Sequence, residues 1–149
     1  MTPDNHNVDQ QDDNSISGFY EGYSDTQKEV LAVEIRKTRN TLFIIAAVIF
    51  ASDILGLLAL NVFIIETLLV ILIVPLAITG LGFLATKEPM SAIIIAAVII
   101  VGIWIYTIVI SGGRAAIMGW LIKAIIIYFL IAGFQHAREA TRIKKELGI

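Results

Sequence analysis

The feature that most constrains this chain is an apolar run from Thr41 to Ala85. Its only formal charges are Asp53 and Glu66. A helix needs about 20 residues to cross the hydrocarbon core of a bilayer, so this run is too long for a single crossing. It therefore predicts two membrane spans folded back on each other as a helical hairpin.

The composition of the whole chain supports a membrane environment. Hydrophobic residues make up 57% of the sequence, and the mean hydropathy is +0.82. Soluble domains contain about 45 to 50% apolar residues even when glycine is counted. The chain has no cysteine, which excludes disulfide bonds, a thiolate nucleophile and a cysteine-based metal site.

Two polar breaks divide the apolar sequence that follows. One is Thr-Lys-Glu-Pro at residues 86–89, and the other is Ser-Gly-Gly-Arg at residues 111–114. Pro89 is well placed in the first turn of a helix, where its missing N–H costs nothing. The turn between the first two spans is inferred from length and is expected near Asn61. The fold class predicted is all-α membrane, a four-transmembrane-helix bundle of two hairpins, with spans at residues 41–60, 62–85, 90–110 and 115–134.

The segments flanking the spans are polar. Residues 1–23 are acidic and poor in apolar side chains, which predicts a disordered tail. Two capping-box patterns, beginning at Ser24 and Thr26, predict that a juxtamembrane helix over residues 24–40 starts there. Residues 135–149 predict a basic amphipathic helix that lies on the inner leaflet, packs on the amino-terminal helix, or only fixes topology. His136 is expected to be an ordinary interfacial residue, because no second histidine or acid lies at ligand spacing.

The basic residues give an orientation. With a cytoplasmic amino terminus only Arg114 would be external, and the other bases outside the spans would be cytoplasmic. This is a strong positive-inside bias, and it predicts that both termini are cytoplasmic in a membrane that we take to be the bacterial inner membrane. The residues on the cytoplasmic side are Lys28, Arg36, Lys37, Arg39, Lys87, Arg138, Arg142, Lys144 and Lys145.

Three charged residues fall inside predicted spans. A central Asp or Lys costs about 2.5 to 3.5 kcal/mol on insertion scales, so the placement of Asp53, Glu66 and Lys123 needs a reason. At 1.5 Å per residue they lie roughly 10, 7 and 13 Å from the outer span ends. Because they share the outer half, we predict an intramembrane polar cluster in which Lys123 pairs with Asp53, Glu66 or both.

Two functions fit this pattern. In the first, the cluster is a structural polar lock in a non-enzymatic structural or partner-binding membrane subunit. In the alternative, the cluster is the ion, proton or solute site of a small oligomeric channel or transporter. The flux of an ion or solute through liposomes would distinguish the two.

Other classes of function are not indicated. No catalytic triad, phosphate loop or histidine cluster occurs, so neither an enzyme nor a cofactor or metal site is predicted. The basic tail lacks the motifs of nucleic-acid binding. The expected partners are the lipid bilayer and either a partner protein or a second copy of the chain, bound through the bundle or the termini.

Overall fold

The computed structural model describes residues 9–60, 65–110 and 119–148, with side chains described from Gly22 onward except at residues 60, 66, 67 and 70. Every regular element in these ranges is an α-helix, which confirms the all-helical prediction. The four helices are α1 (Asp9–Leu60), α2 (Ile65–Leu84), α3 (Pro89–Ile110) and α4 (Trp120–Glu146).

Three of these helices contain stretches long and apolar enough to cross a membrane: Gly22–Ala59 within α1, Pro89–Ile110 and Trp120–Glu146. The apolar part of α2, Ile71–Leu84, is shorter and is not counted among these three. Length and composition are thus compatible with an integral membrane protein. The predicted turns near Asn61 and at residues 111–114 lie outside the described residues.

The polar break at residues 86–89 forms the turn between α2 and α3. The amides of Lys87 and Glu88 both donate to the carbonyl of Leu84, over 2.9 and 3.0 Å. Pro89 is the first residue of α3, as its missing donor favours. Pro75 lies inside α2, where it removes one backbone hydrogen bond of the helix.

α1 begins well before the predicted capping boxes. It is continuous from Asp9, so the predicted helix start at residues 24–27 is wrong. The reason is visible at Thr26, whose hydroxyl donates to the carbonyl of Gly22 over 2.9 Å. That bond is typical of a threonine inside a helix, and it replaces the cap. The boundary predicted between a tail at residues 1–23 and a helix at residues 24–40 is therefore not a break in α1.

α1 makes the most extensive contacts in the bundle, chiefly with α4 and α2, and it also packs against α3. The bundle has two ends. We call the part near the turn at residues 85–88 the basic half, and the part near Leu60, Ile65, Ile110 and Trp120 the distal half. In the described residues most buried side chains lie in the basic half. The main core consists of Leu42, Ile45, Ala46, Ile78, Ala85, Ala92, Ile93, Ala96, Ile100, Ile126 and Ala137.

Small residues bring the helices together in the basic half. Ala92, Ala96 and Ala137 are fully buried. A Cβ added to Gly133 of α4 would meet Ile93 of α3 at 2.9 Å and Thr41 of α1 at 3.0 Å. Small side chains allow backbones to approach closely in membrane helix bundles, so Gly133 marks a point of close approach among three helices.

Candidate functional site

The distal half contains a cavity of about 240 Å³ bounded by all four helices. Its polar lining includes the carboxyl of Asp53, the ammonium of Lys123 and the hydroxyls of Ser52 and Thr107. The remaining lining residues are Ile49, Val74, Ile100, Ile103, Trp104, Gly119, Ile122 and Ile126. Two of the three charged residues predicted to cluster are thus brought to one cavity.

Asp53 lies on α1 one residue after Ser52, and both side chains are half-buried. No hydrogen bond or ion pair joins Asp53 to another residue in the described part of the chain. Lys123 approaches from the first turn of α4, which begins at Trp120. The side chain of Glu66 lies outside the described residues, so a three-residue pairing stays a prediction.

A carboxyl and an ammonium in an apolar cavity can act in two ways. They can hold helices together if they pair, or they can bind a polar or charged solute that enters the cavity. Thr107 supports the wall locally, because its hydroxyl donates to the carbonyl of Ile103 over 2.7 Å and retains lone pairs that can accept.

A second polar site lies at the opposite end, where α1 meets α4. The carboxyl of Glu34 is only 11% exposed, and its Oε2 lies 2.6 Å from Nδ1 of His136. Its other oxygen accepts a hydrogen bond from Nζ of Lys37 over 2.7 Å. With the proton on Nδ1, His136 donates a hydrogen bond to Glu34. This bond joins α1 to α4 through two residues that are 102 positions apart in sequence.

The electrostatics of Glu34 follow from these contacts. Burial acts to raise the pKa of Glu34, but the hydrogen bonds from Lys37 and His136 outweigh it and hold that pKa below its ordinary value of 4.5. Thr38, which is fully buried, donates to the carbonyl of Glu34 over 3.0 Å. The ionised carboxylate of Glu34 is therefore the form that this site holds.

Apolar contacts surround this site on the side away from the bundle. Leu31 of α1 packs with Ala140 and Ile143 of α4, and Ile35 and Leu147 pack against them. At the same end Nζ of Lys144 donates to the carbonyl of Lys87 over 3.0 Å, which connects α4 to the turn between α2 and α3. The carboxy-terminal part of α4 thus packs on the amino-terminal helix, one of the alternatives left open by the sequence.

The interpretation of His136 as an ordinary interfacial residue missed its contact with Glu34. That interpretation depended on residues near His136 in sequence, whereas the acid comes from α1, 102 residues earlier. A signal was present, because Glu34 lies at helical spacing between Leu31 and Thr38 on the face that becomes buried. An acid within such a face indicates a basic partner on the neighbouring helix.

The described residues contain no group of three or more His, Cys, Asp or Glu side chains suited to a metal ion. No protein-family model matches the chain, and no curated protein or solved structure gives a significant match. The function must therefore be argued from the two polar sites and from the shape of the helices.

Proposed function

We propose that this chain is a four-span protein of a bacterial inner membrane, with both termini cytoplasmic, that works as a non-enzymatic partner-binding subunit. Four apolar helical segments and the grouping of bases at one end support this arrangement. On that orientation the basic half is cytoplasmic, and α1 and α4 extend from it into the cytoplasm.

The observation that carries the proposal is the packed pair of helices beyond the bundle. Leu31 of α1 contacts Ile143 of α4, so the end of α4 at Glu146 lies about one helical turn further, near Lys28. α1 continues from there back to Asp9, roughly 28 Å at 1.5 Å per residue. A helical projection of this length offers a binding surface, and spanning the membrane alone does not require one.

Cross-linking in intact cells tests this function. A photoreactive amino acid replaces Tyr23, which is 58% exposed on the projection, or Val98, which is 66% exposed on α3 within the bundle. We expect a defined protein adduct from position 23 and none from position 98. Lipid adducts alone at both positions would contradict the proposal. Reporter fusions at the two ends test the orientation, and opposite locations would refute it.

The distal cavity favours a second candidate function, a small oligomeric channel or transporter. A carboxyl, an ammonium and two hydroxyls line one space among apolar helices, and intramembrane ionisable groups commonly mark the path of an ion or solute.

Purified protein in liposomes separates the two candidates. A conduit would give a flux under a pH or ion gradient that Asp53→Asn or Lys123→Met changes at least severalfold, whereas Ser91→Ala, outside the cavity lining, leaves it unaltered. An absent flux in the wild type would contradict the conduit and leave the partner-binding function.

A further inference from the structure

A groove of about 540 Å³ runs along the surface between α3 and α4 in the basic half. Its apolar walls come from both helices, and two polar residues of α4, Gln135 and Arg138, close one end. The apolar residues that line it are Ile93, Ile94, Ala97, Val98, Leu130, Ile131 and Phe134.

The walls of this groove face outward from the bundle. Val98, Ile131 and Phe134 are 66%, 55% and 42% exposed. In a membrane-spanning chain such side chains contact lipid, because no water is present in the hydrocarbon core. The groove is therefore an apolar depression of about 540 Å³ on the lipid-facing surface, a chemical environment that suits an acyl chain.

The polar end of the groove lies at the membrane boundary. Ile131, Phe134, Gln135 and Arg138 stand at positions i, i+3, i+4 and i+7 of α4, so they share one face of the helix. Along α4 toward its carboxy terminus, this face is therefore first apolar, then polar and then cationic. A guanidinium at that level can donate two parallel hydrogen bonds to a phosphate.

Arg138 also differs from a neighbouring base. Arg142 is bound by Glu139 and lies 3.6 Å from a carboxylate oxygen of Glu146. No hydrogen bond or ion pair joins Arg138 to another residue in the described ranges. The guanidinium of Arg138 is thus available to an anion, whereas that of Arg142 is engaged by two carboxylates.

A second surface groove provides an internal comparison. It lies between α1 and α2 and is lined by apolar residues and Thr79, with no charged side chain. Both grooves have apolar walls that suit hydrocarbon. Of the two, only the groove between α3 and α4 also has a cationic side chain, Arg138, in its lining. Basic pockets between helices on the cytoplasmic side are suited to anionic lipid headgroups.

We infer that the groove between α3 and α4 binds one anionic phospholipid, with an acyl chain along Ala97 and Ile131 and the phosphate on Arg138 and Gln135. Charge complementarity at Arg138 favours an anionic lipid over a zwitterionic one. The site rests on the membrane arrangement proposed above, but it is separate from the distal cavity and from the projection of α1, so it does not depend on partner binding or on a flux through the cavity.

Native mass spectrometry of the purified full chain tests the site, with phosphatidylglycerol and phosphatidylcholine of identical acyl chains as probes. We expect the wild type to prefer phosphatidylglycerol, and Arg138→Gln to weaken that binding about fivefold, since one surface base contributes about 1 kcal/mol. Arg138→Lys should retain most of the preference. The matched control Arg142→Gln should leave it unchanged.

Two further arms test the acyl-chain part. Ala97→Phe fills the groove without altering its charge and should weaken binding of phosphatidylglycerol, whereas Val109→Phe, at the exposed distal end of α3, should not. Inorganic phosphate at equal concentration should not displace the lipid. An unchanged preference in Arg138→Gln, an equal loss in Arg142→Gln, no effect of Ala97→Phe, or displacement by phosphate would each overturn the site. Circular dichroism of every variant confirms that the helices remain folded.

Discussion

The basic and distal halves of this bundle are built from similar apolar sequence but are packed very differently. On α1 the buried residues from Leu31 to Ala46 recur at every turn, whereas beyond Ala46 only Leu57 is buried in the described residues. On α3 none is buried after Ile100 in the same part of the chain. The helices are thus held together in the basic half and line a cavity in the distal half.

This difference shows that hydropathy does not decide packing inside a membrane. Leucine and isoleucine gain little from leaving lipid for protein, so contact depends on shape and on polar bonds between helices. The basic half has both, in Gly133 with its alanine neighbours and in Glu34 with His136. The predictions below test whether this half carries the stability of the fold.

The largest effect is expected from Gly133→Leu, which places a side chain where Ile93 and Thr41 already lie within about 3 Å of a Cβ. Overpacking of this kind costs about 3 kcal/mol, so the melting temperature in detergent should fall markedly. The control is Gly102→Leu in the distal half, where nothing lies within 4 Å of an added Cβ. An equal fall in melting temperature in the two variants would show that the basic half is not packed more tightly than the distal half.

The next effect is expected from Glu34→Ala, which leaves Lys37 and His136 without their shared acceptor. Hydrogen bonds to charged groups contribute roughly 1.5 to 3 kcal/mol, so we expect a loss of about 2 kcal/mol in unfolding free energy, measured by denaturant titration. Glu139→Ala, which removes an exposed acid on α4, is the comparison and should cost about 0.5 kcal/mol or less.

A smaller effect is expected from pH. Because the folded pKa of Glu34 lies below 4.5, its ionised form stabilises the folded state above about pH 4.5, and this contribution is lost as the pH falls through the folded pKa. The difference in melting temperature between the wild type and Glu34→Gln should therefore shrink between pH 6 and pH 3. A difference that is constant over this range would show that the charge of Glu34 does not act on stability.

The smallest effect on stability is expected from Asp53→Asn. The substitution removes a charge that makes no hydrogen bond or ion pair with other described residues, so the change in unfolding free energy should be within about 0.5 kcal/mol. A loss as large as that of Glu34→Ala would show instead that the distal half contains a polar lock of equal strength.

The sequence was sufficient for the elements that depend on local composition. The turn at residues 86–89 and the start of α3 at Pro89 follow from the chemistry of four consecutive residues. Counting along the helices predicted that Asp53 and Lys123 lie in the same half of the bundle, and both line one cavity. The start of α1 was not predictable from its caps, because Ser24 and Thr26 suit a helix interior as well as an end.

Helical spacing indicated that Glu34 has a basic partner, but it did not identify His136 as that partner. The contact depends on the relative position of α1 and α4 along their axes, at an interface where Gly133 closely approaches Thr41. A shift by one turn would move His136 about 5.4 Å away from the carboxylate. Registers of this kind are properties of packed pairs, and no single helix sequence contains them.

The continuity of α1 has a mechanical consequence. From Thr41 the helix extends about 48 Å to Asp9 in one direction and about 18 Å to Asp53 in the other. A tilt of about 10° around Thr41 would swing the tip by roughly 8 Å while displacing Asp53 by roughly 3 Å in the opposite sense. Because Asp9 and Asp53 belong to one continuous helix, a tilt of that helix as a unit would move its amino-terminal end and the cavity wall at Asp53 in opposite directions.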